Sequence, residues 1–238
     1  MKEQILESPF CKKEFLELVD IVSEVKTTKL TNYAISDSSI VNIGDRNFVD
    51  YRPDISIDPQ VIKDNNISTI SFDSLHFFQV QNLVEELDTK SVKIKKSDIA
   101  VNLILPKTYE EYLDSLSKKK RHELRRKKRK LDNETTSYEL GESKEQDIFD
   151  IFISQHRESK GKKGEFMTEV VETYFRNLLN LQGWKIYYTN TDKGVLSTAF
   201  CYENDNGCYL YNSSRNNEFN SINPGIVLND LIIQQLID

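Results

Sequence analysis

The sequence predicts an α/β (α+β) fold, a mixed and mostly antiparallel sheet flanked by helices, and three observations carry that prediction. Asp192-Lys193-Gly194 and Asp205-Asn206-Gly207 are strong hairpin signals. They separate three β-prone runs, Trp184 to Thr189, Val195 to Glu203 and Cys208 to Ser213, which form an antiparallel meander. Amphipathic helical stripes stand before the meander, and a helix follows it. The C-terminal stretch runs strand, polar loop, helix: Cys208-Tyr209-Leu210-Tyr211, a loop to Asn223, then Pro224-Gly225 opening Ile226, Leu228, Leu231, Ile232 and Leu236. Free backbone N–H groups and the positive dipole end at such a helix start favour an anion by about 0.3 to 1 kcal/mol per charge. An ordinary strand-to-helix connection fits the same residues.

Composition bounds the rest. A chain of 238 residues with 38% hydrophobic and 29% charged residues can bury one large core or two small ones. No apolar run approaches the roughly 20 residues that span a bilayer. Met1-Lys2-Glu3-Gln4 is not followed by an apolar signal-peptide core, so a cytoplasmic protein is expected. Cys11, Cys201 and Cys208 and His76, His122 and His156 lack metal-ligand spacing, so reduced thiols and no metal are expected.

Residues 1–98 read as a first domain. Phe15, Leu18, Val19 and Val22 mark one helix face, and Ser39 to Ile43 with Gly44-Asp45-Arg46-Asn47 reads as strand and turn. Ile67 to Phe72 alternates like a half-buried strand, Asp73 is an expected N-cap, and Leu75, Phe78, Leu83, Val84 and Leu87 form a helical stripe. Between them Asp50-Tyr51-Arg52-Pro53-Asp54 either lines a cleft, with Tyr51 touching substrate, or is a surface loop.

Residues 99–238 read as a second domain. Ile99 to Leu105 is expected as a buried strand closed by Pro106. Tyr109 to Leu116 is amphipathic, and the same helix is expected to run on into Lys118 to Lys130, where ten of thirteen residues are Lys or Arg. The overall net charge is −6 even so, and the block stands against an acidic body. Three explanations compete. The block pairs with the body's own carboxylates at about 0 to 1 kcal/mol each, binds a phosphate-rich partner such as tRNA, or rests peripherally on an anionic membrane. No helix-turn-helix, zinc or zipper pattern accompanies it. After a short strand at Ser137 to Leu140, Ser143 with Gln146 reads as a capping box for a helix carrying Ile148, Phe149, Phe152 and His156. A basic loop, Arg157 to Gly164, leads to Thr168, which caps a helix with Val171, Tyr174, Phe175 and Leu178 inward; Gly183 stops it.

Three ordered motifs carry a family resemblance: Leu116-Ser117-Lys118-Lys119-Lys120-Arg121 with Leu124-Arg125-Arg126; Gln155-His156-Arg157 through Gly161 and Phe166; and Tyr211-Asn212-Ser213 through Asn223-Pro224-Gly225. In these residues 99–238 resemble the GNAT N-acyltransferase superfamily, in the CelD- or BcsL-like branch related to Fem-type peptidoglycan amino-acid transferases. The first domain resembles the degenerate first half of such tandem proteins. A complete second half continues past the last helix with further strands, so this one is expected to be incomplete, with an exposed sheet edge.

The resemblance implies transfer of an acyl group to an amine, with a cell-envelope precursor among the acceptors. Acyl-CoA would lie along Tyr209, Leu210, Tyr211, Asn212 and Ser213, its phosphates near Asn223, Pro224 and Gly225. Asn216 to Asn223 holds no glycine, unlike the usual pyrophosphate loop, so aminoacyl-tRNA remains an alternative donor. His156, Glu165 and Tyr211 are the candidate acid–base residues. His156 continues the stripe of Phe149 and Phe152, so a packing role competes with a catalytic one. Arg121, Arg125, Arg126 and Arg157 are candidates for binding substrate or polyanion. A fold that kept this architecture and only bound RNA through the basic helix is the competing reading.

Overall fold

The computed structural model describes residues 7–22, 28–29, 32–87, 91–96 and 99–238. It divides into two compact units, Met1–Val101 and Asn102–Asp238.

In the first unit a 3-10 turn (Pro9–Cys11) leads into α1 (Lys13–Val22), then β1 (Thr28–Lys29), β2 (Tyr33–Ser36), β3 (Ser39–Asn42), α2 (Pro59–Asp64), β4 (Thr69–Ser71) and α3 (Phe77–Leu87). The sheet runs β1-β2-β3-β4, antiparallel except for the parallel β3–β4 pair. Tyr33, Ile40, Ile57 and Leu83 form its core. Two expectations change here. Arg52 does not face a cleft: it is 1% exposed and donates to the carbonyls of Ile43 and Gly44 and to Asp73. Asp73 therefore serves as the counter-ion of a buried guanidinium rather than as an N-cap, and α3 begins four residues later at Phe77. Tyr51 packs against the Phe10 ring at 5.8 Å.

The second unit contains α4 (Tyr109–Ser115), α5 (Lys118–Glu134), β5 (Tyr138–Ser143), α6 (Gln146–Arg157), α7 (Lys162–Phe166), α8 (Glu169–Leu179), β6 (Trp184–Thr191), β7 (Gly194–Asn204), β8 (Gly207–Arg215), a 3-10 turn (Asn217–Phe219) and α9 (Pro224–Ile237). The sheet order is β5-β6-β7-β8, antiparallel throughout. The single helix expected over 109–130 is two: Thr108 caps α4, and the Ser117 hydroxyl accepts from the Lys120 N–H to start α5. The Ser143–Gln146 box does not form. Ser143 ends β5 and accepts from the Glu145 N–H, and Glu145 occupies the cap position. Ile99 to Leu105 is no buried strand: it lacks a ladder partner among the described residues, and Val101 and Ile104 are 94% and 86% exposed. Apolar composition favours burial but does not supply a neighbouring strand, and among the described residues β5 pairs with β6 alone.

Helices cover both sheet faces. On one, Phe152 of α6 meets Phe175 of α8 at 5.4 Å and Phe200 of β7 at 5.5 Å, and Trp184 meets Phe200 at 5.6 Å. On the other, Leu228 and Ile232 of α9 pack on Tyr187, Ala199 and Cys201, while Leu131 of α5 joins Leu196, Ile222 and Val227. Each fully buried side chain of this size stabilises by about 1.5 to 3 kcal/mol relative to exposure. Gly183 turns the chain into β6 at φ +84°, where a Cβ would lie 2.8 Å from the Glu203 carbonyl oxygen.

Candidate active site

The irregularity in β8 organises the site. Phe200 pairs with Asn212 and Cys201 with Leu210, so Tyr211 is the extra residue of a β-bulge. A bulge breaks the alternation of faces, and here Tyr211 and Asn212 both turn toward α6 and α8. The Tyr211 ring lies 5.6 Å from Phe175 and 5.4 Å from Trp184. Its hydroxyl is 2.8 Å from that of Tyr174 on α8.

Asn212 faces His156 of α6, with Oδ1 3.1 Å from the ring Nε2. The Ser213 backbone N–H also points at that Oδ1, at 2.7 Å. A backbone N–H can only donate, so this end of the amide is oxygen and His156 Nε2 carries the proton. The neutral ring then keeps its lone pair on Nδ1, which is buried with no partner within hydrogen-bond distance among the described residues. His156 is 2% exposed, between the rings of Phe152 and Phe166, each 5.9 Å away. Burial first, and then the charge of Lys163, hold its pKa below the ordinary histidine value; the hydrogen bond to Asn212 and the polar backbone of Lys163 and His156 beside the ring oppose them.

Beneath this pair, α6 is fixed to the sheet by polar contacts. Gln155 Nε2 donates to the Val195 carbonyl at 2.8 Å and Gln155 Oε1 accepts from Ser214 Oγ at 3.1 Å. Ser214 in turn meets Thr198 at 2.6 Å. Arg157 is engaged in the scaffold: it donates to the Met167 carbonyl at 3.0 Å and to Glu172 at 2.8 Å. Gly164 closes the intervening loop so tightly that a Cβ would sit 2.2 Å from the Ser159 carbonyl oxygen. Glu165, on α7, is exposed and is not brought to His156 or Tyr211 by any hydrogen bond.

On the opposite face, β8 leads through the 3-10 turn to α9. Asn223 is left-handed at φ 59° and ψ 61°, Pro224 takes the first helical position, and the Ile226 N–H returns to the Asn223 carbonyl. A Cβ on Gly225 would meet no atom within 4 Å, so the helix start borders open space. Tyr209 stacks on Tyr202 at 6.0 Å, and Leu210 is 48% exposed on the edge strand.

The basic helix is only partly neutralised. Arg121 pairs with Asp114 at 2.6 Å, Arg126 approaches Glu123 at 3.7 Å, and Lys128 pairs with Asp230 of α9. Lys118, Lys119, Lys120, Arg125 and Arg129 are exposed and have no carboxylate partner among the described residues. Tyr51 belongs to the other unit. A surface groove between α6 and α8 is lined by Asp150, Ile153, Ser154, Arg157, Glu158 and Glu172, without His156, Tyr211 or Asn212.

Tyr174 and Gln155 were not anticipated as site residues. Tyr174 reads as one more inward position of an apolar stripe, and a helix glutamine reads as solvated; only the tyrosine hydroxyl hinted at a partner.

Among the described residues, no helix is long and apolar enough to cross a membrane. No curated protein matches the chain. The acetyltransferase (GNAT) domain family matches residues 118–238, from the start of the basic helix α5 through the bulged strand to α9. Covering half of the sequence and every element of the site described above, that match places the chain in the GNAT acetyltransferase family.

Proposed function

We infer that the C-terminal unit moves an acyl group from acyl-CoA to the amine of a sugar, peptide or lipid-linked acceptor, with reaction at the β8 bulge. The observation that carries this reading is the convergence of two polar pairs, His156–Asn212 and Tyr174–Tyr211, on adjacent residues of one edge strand. The pantetheine amides would pair with the backbone of Tyr209 to Ser213, and the phosphates would approach Asn223, Pro224 and Gly225. The amine nitrogen attacks the thioester carbonyl, the tetrahedral intermediate collapses with C–S cleavage, and the amine's proton is lost. His156 holds Asn212 at the bulge and offers Nδ1 as the proton acceptor. Tyr211 donates its hydroxyl proton to the departing thiolate and recovers one through Tyr174. Positioning of the two substrates supplies much of the rate. Residues 1–98, a mixed sheet with flanking helices, are read as a degenerate GNAT-like half.

Calorimetric titration with acetyl-CoA tests the donor. Saturable binding that disappears in Gly225→Trp is expected, since the indole would fill the space beside the α9 N-terminus. A cooperatively folded protein that binds no acetyl-CoA would refute the acyl-CoA reading.

The unpaired cations of α5 favour a second reading, in which a polyanion such as tRNA docks there, as donor or as sole ligand. Charge reversal at Arg121, Arg125 and Arg126 would then weaken RNA binding and flatten its salt dependence, leaving acetyl-CoA affinity unchanged.

A further inference from the structure

Apolar packing holds α6 against the sheet without fixing where along the strands it rests. Phe152 meets Phe175 at 5.4 Å and Phe200 at 5.5 Å, and such contacts tolerate a slide or a small rotation because the hydrophobic effect has no direction. A hydrogen bond tolerates neither, since donor and acceptor must stay within about 3.2 Å and near linearity. Gln155 makes the directional contacts. It is 6% exposed on α6, next to His156. Its Nε2 donates to the Val195 carbonyl on β7 and its Oε1 accepts from Ser214 on β8, while its backbone carbonyl accepts from the Ser159 hydroxyl at 3.1 Å.

The two strand contacts lie beside the two breaks in the ladder. Along β7, Ser197 pairs with Thr189 and Val195 with Asn190, which leaves Leu196 as an extra residue next to the carbonyl that Gln155 holds. Along β8, Ser214 pairs with Thr198 and Asn212 with Phe200, beside the Tyr211 bulge. Ser214 and Asn212 are two residues apart and share the face turned to α6. The proton directions are fixed throughout. A carbonyl only accepts, so Nε2 faces Val195; Oε1 then faces Ser214, whose one proton goes there, and Thr198 donates to Ser214 at 2.6 Å. Thr198 and Ser214 are buried as well.

We propose that Gln155 is the positioning residue of the site: its grip on Val195 and Ser214 sets α6 at the height and rotation that keep His156 Nε2–H on Asn212 Oδ1. Consecutive helix residues thus hold successive same-face positions of β8, Gln155 at Ser214 and His156 at Asn212. When α6 slips, the 3.1 Å contact between His156 and Asn212 opens, the ring turns, and Nδ1 loses its direction. Gln155 itself touches no reacting atom. Its bearing on proton transfer rests on the acyl-transfer reading above, whereas its control of the His156–Asn212 pair does not.

Hydrogen exchange of the His156 Nε2 proton, followed by proton–nitrogen NMR and assigned by its loss in His156→Gln, tests this on wild type, Gln155→Leu, Ser214→Ala and Thr189→Val. Thr189 is the control: it is equally buried and bonded to Ser197 at 3.3 Å, but on the sheet face that carries α9. Exchange about ten-fold or more faster is expected in Gln155→Leu and a smaller rise in Ser214→Ala, with Thr189→Val within about two-fold of wild type. Urea unfolding followed by Trp184 fluorescence selects the variants that fold cooperatively, and Ser214→Ala decides alone if Gln155→Leu does not fold. An unchanged rate in the folded variants overturns the proposal, as does an equal acceleration in Thr189→Val, which would make the effect one of stability. Thiol release from acetyl-CoA, with ethanolamine and glucosamine as probe amines, is expected to fall about ten-fold in kcat for Gln155→Leu at unchanged acetyl-CoA affinity. An active enzyme with unchanged kcat would also overturn it. If exchange responds as stated and wild type binds no acetyl-CoA, the positioning role stands and the acyl-CoA reading fails.

Discussion

Replacing Lys128 with methionine removes the cation from a carboxylate that has little other support. Asp230 is 2% exposed on α9; its Oδ2 accepts from Tyr109 at 2.7 Å and pairs with Lys128, while Oδ1 is buried with no hydrogen-bond partner among the described residues. Burial and this carboxylate together push the Tyr109 pKa well up, so the phenol stays a donor. Breaking a buried pair typically costs about 3 to 5 kcal/mol because the remaining charge is stranded. The Lys128 side chain is 25% exposed, so water already screens part of the attraction and the low end, about 3 kcal/mol, applies. Asp230→Asn strands nothing comparable: Lys128 can turn to solvent and Tyr109 still finds an acceptor, for a loss of about 1 to 2 kcal/mol. The double variant Lys128→Met with Asp230→Leu leaves only the Tyr109 hydroxyl unpaired and should fall within about 1 kcal/mol of wild type. The chain's one tryptophan is Trp184, 1% exposed in the second unit, so urea unfolding followed by its fluorescence reports that unit alone. Single costs that are equal and below about 1 kcal/mol would refute the argument, since the pair would then behave like a surface ion pair.

His156 gives a pH signature. Its folded pKa is lowered, so between that value and the unfolded value of about 6.5 the unfolded chain binds more protons, and stability falls as pH drops through this window. His156→Gln should remove that component from acid titrations of Trp184 fluorescence, and Lys163→Gln should raise the histidine's NMR midpoint. Gly164→Ala forces a Cβ to 2.2 Å from a backbone oxygen; destabilisation of about 1 to 3 kcal/mol is expected in the same unfolding assay. Tyr211→Phe should lower kcat by about 100-fold with acetyl-CoA binding intact, and Tyr174→Phe by less, in a thiol-release assay.

The sequence by itself determined the meander, the helix pair that covers it and the strand-loop-helix junction. Those depend on local chemistry: Asp-Lys-Gly and Asp-Asn-Gly turns, a Thr168 cap whose hydroxyl accepts from the Val171 N–H, and apolar periodicity in α8 and α9. It also placed Tyr211 and Asn212 on the strand beside that junction. Three other outcomes rested on the tertiary structure. A bulge shifts register by one residue only when β7 and β8 are paired, so the turning of both side chains toward α6 could not be read along β8 alone. Asp73 and Arg52 lie 21 residues apart, and the capping role that looks natural for Asp73 lost to a buried guanidinium supplied by the fold. Ile99 to Leu105 shows the converse: its composition suits a sheet interior, yet burial requires a neighbour that composition does not specify. Charge followed the same rule. The basic run of α5 was visible at once, but Lys163 and His156, whose charges are coupled, come from a loop helix and a core helix. Such groups meet only after the chain folds, because electrostatic coupling depends on distance in space rather than on separation along the sequence.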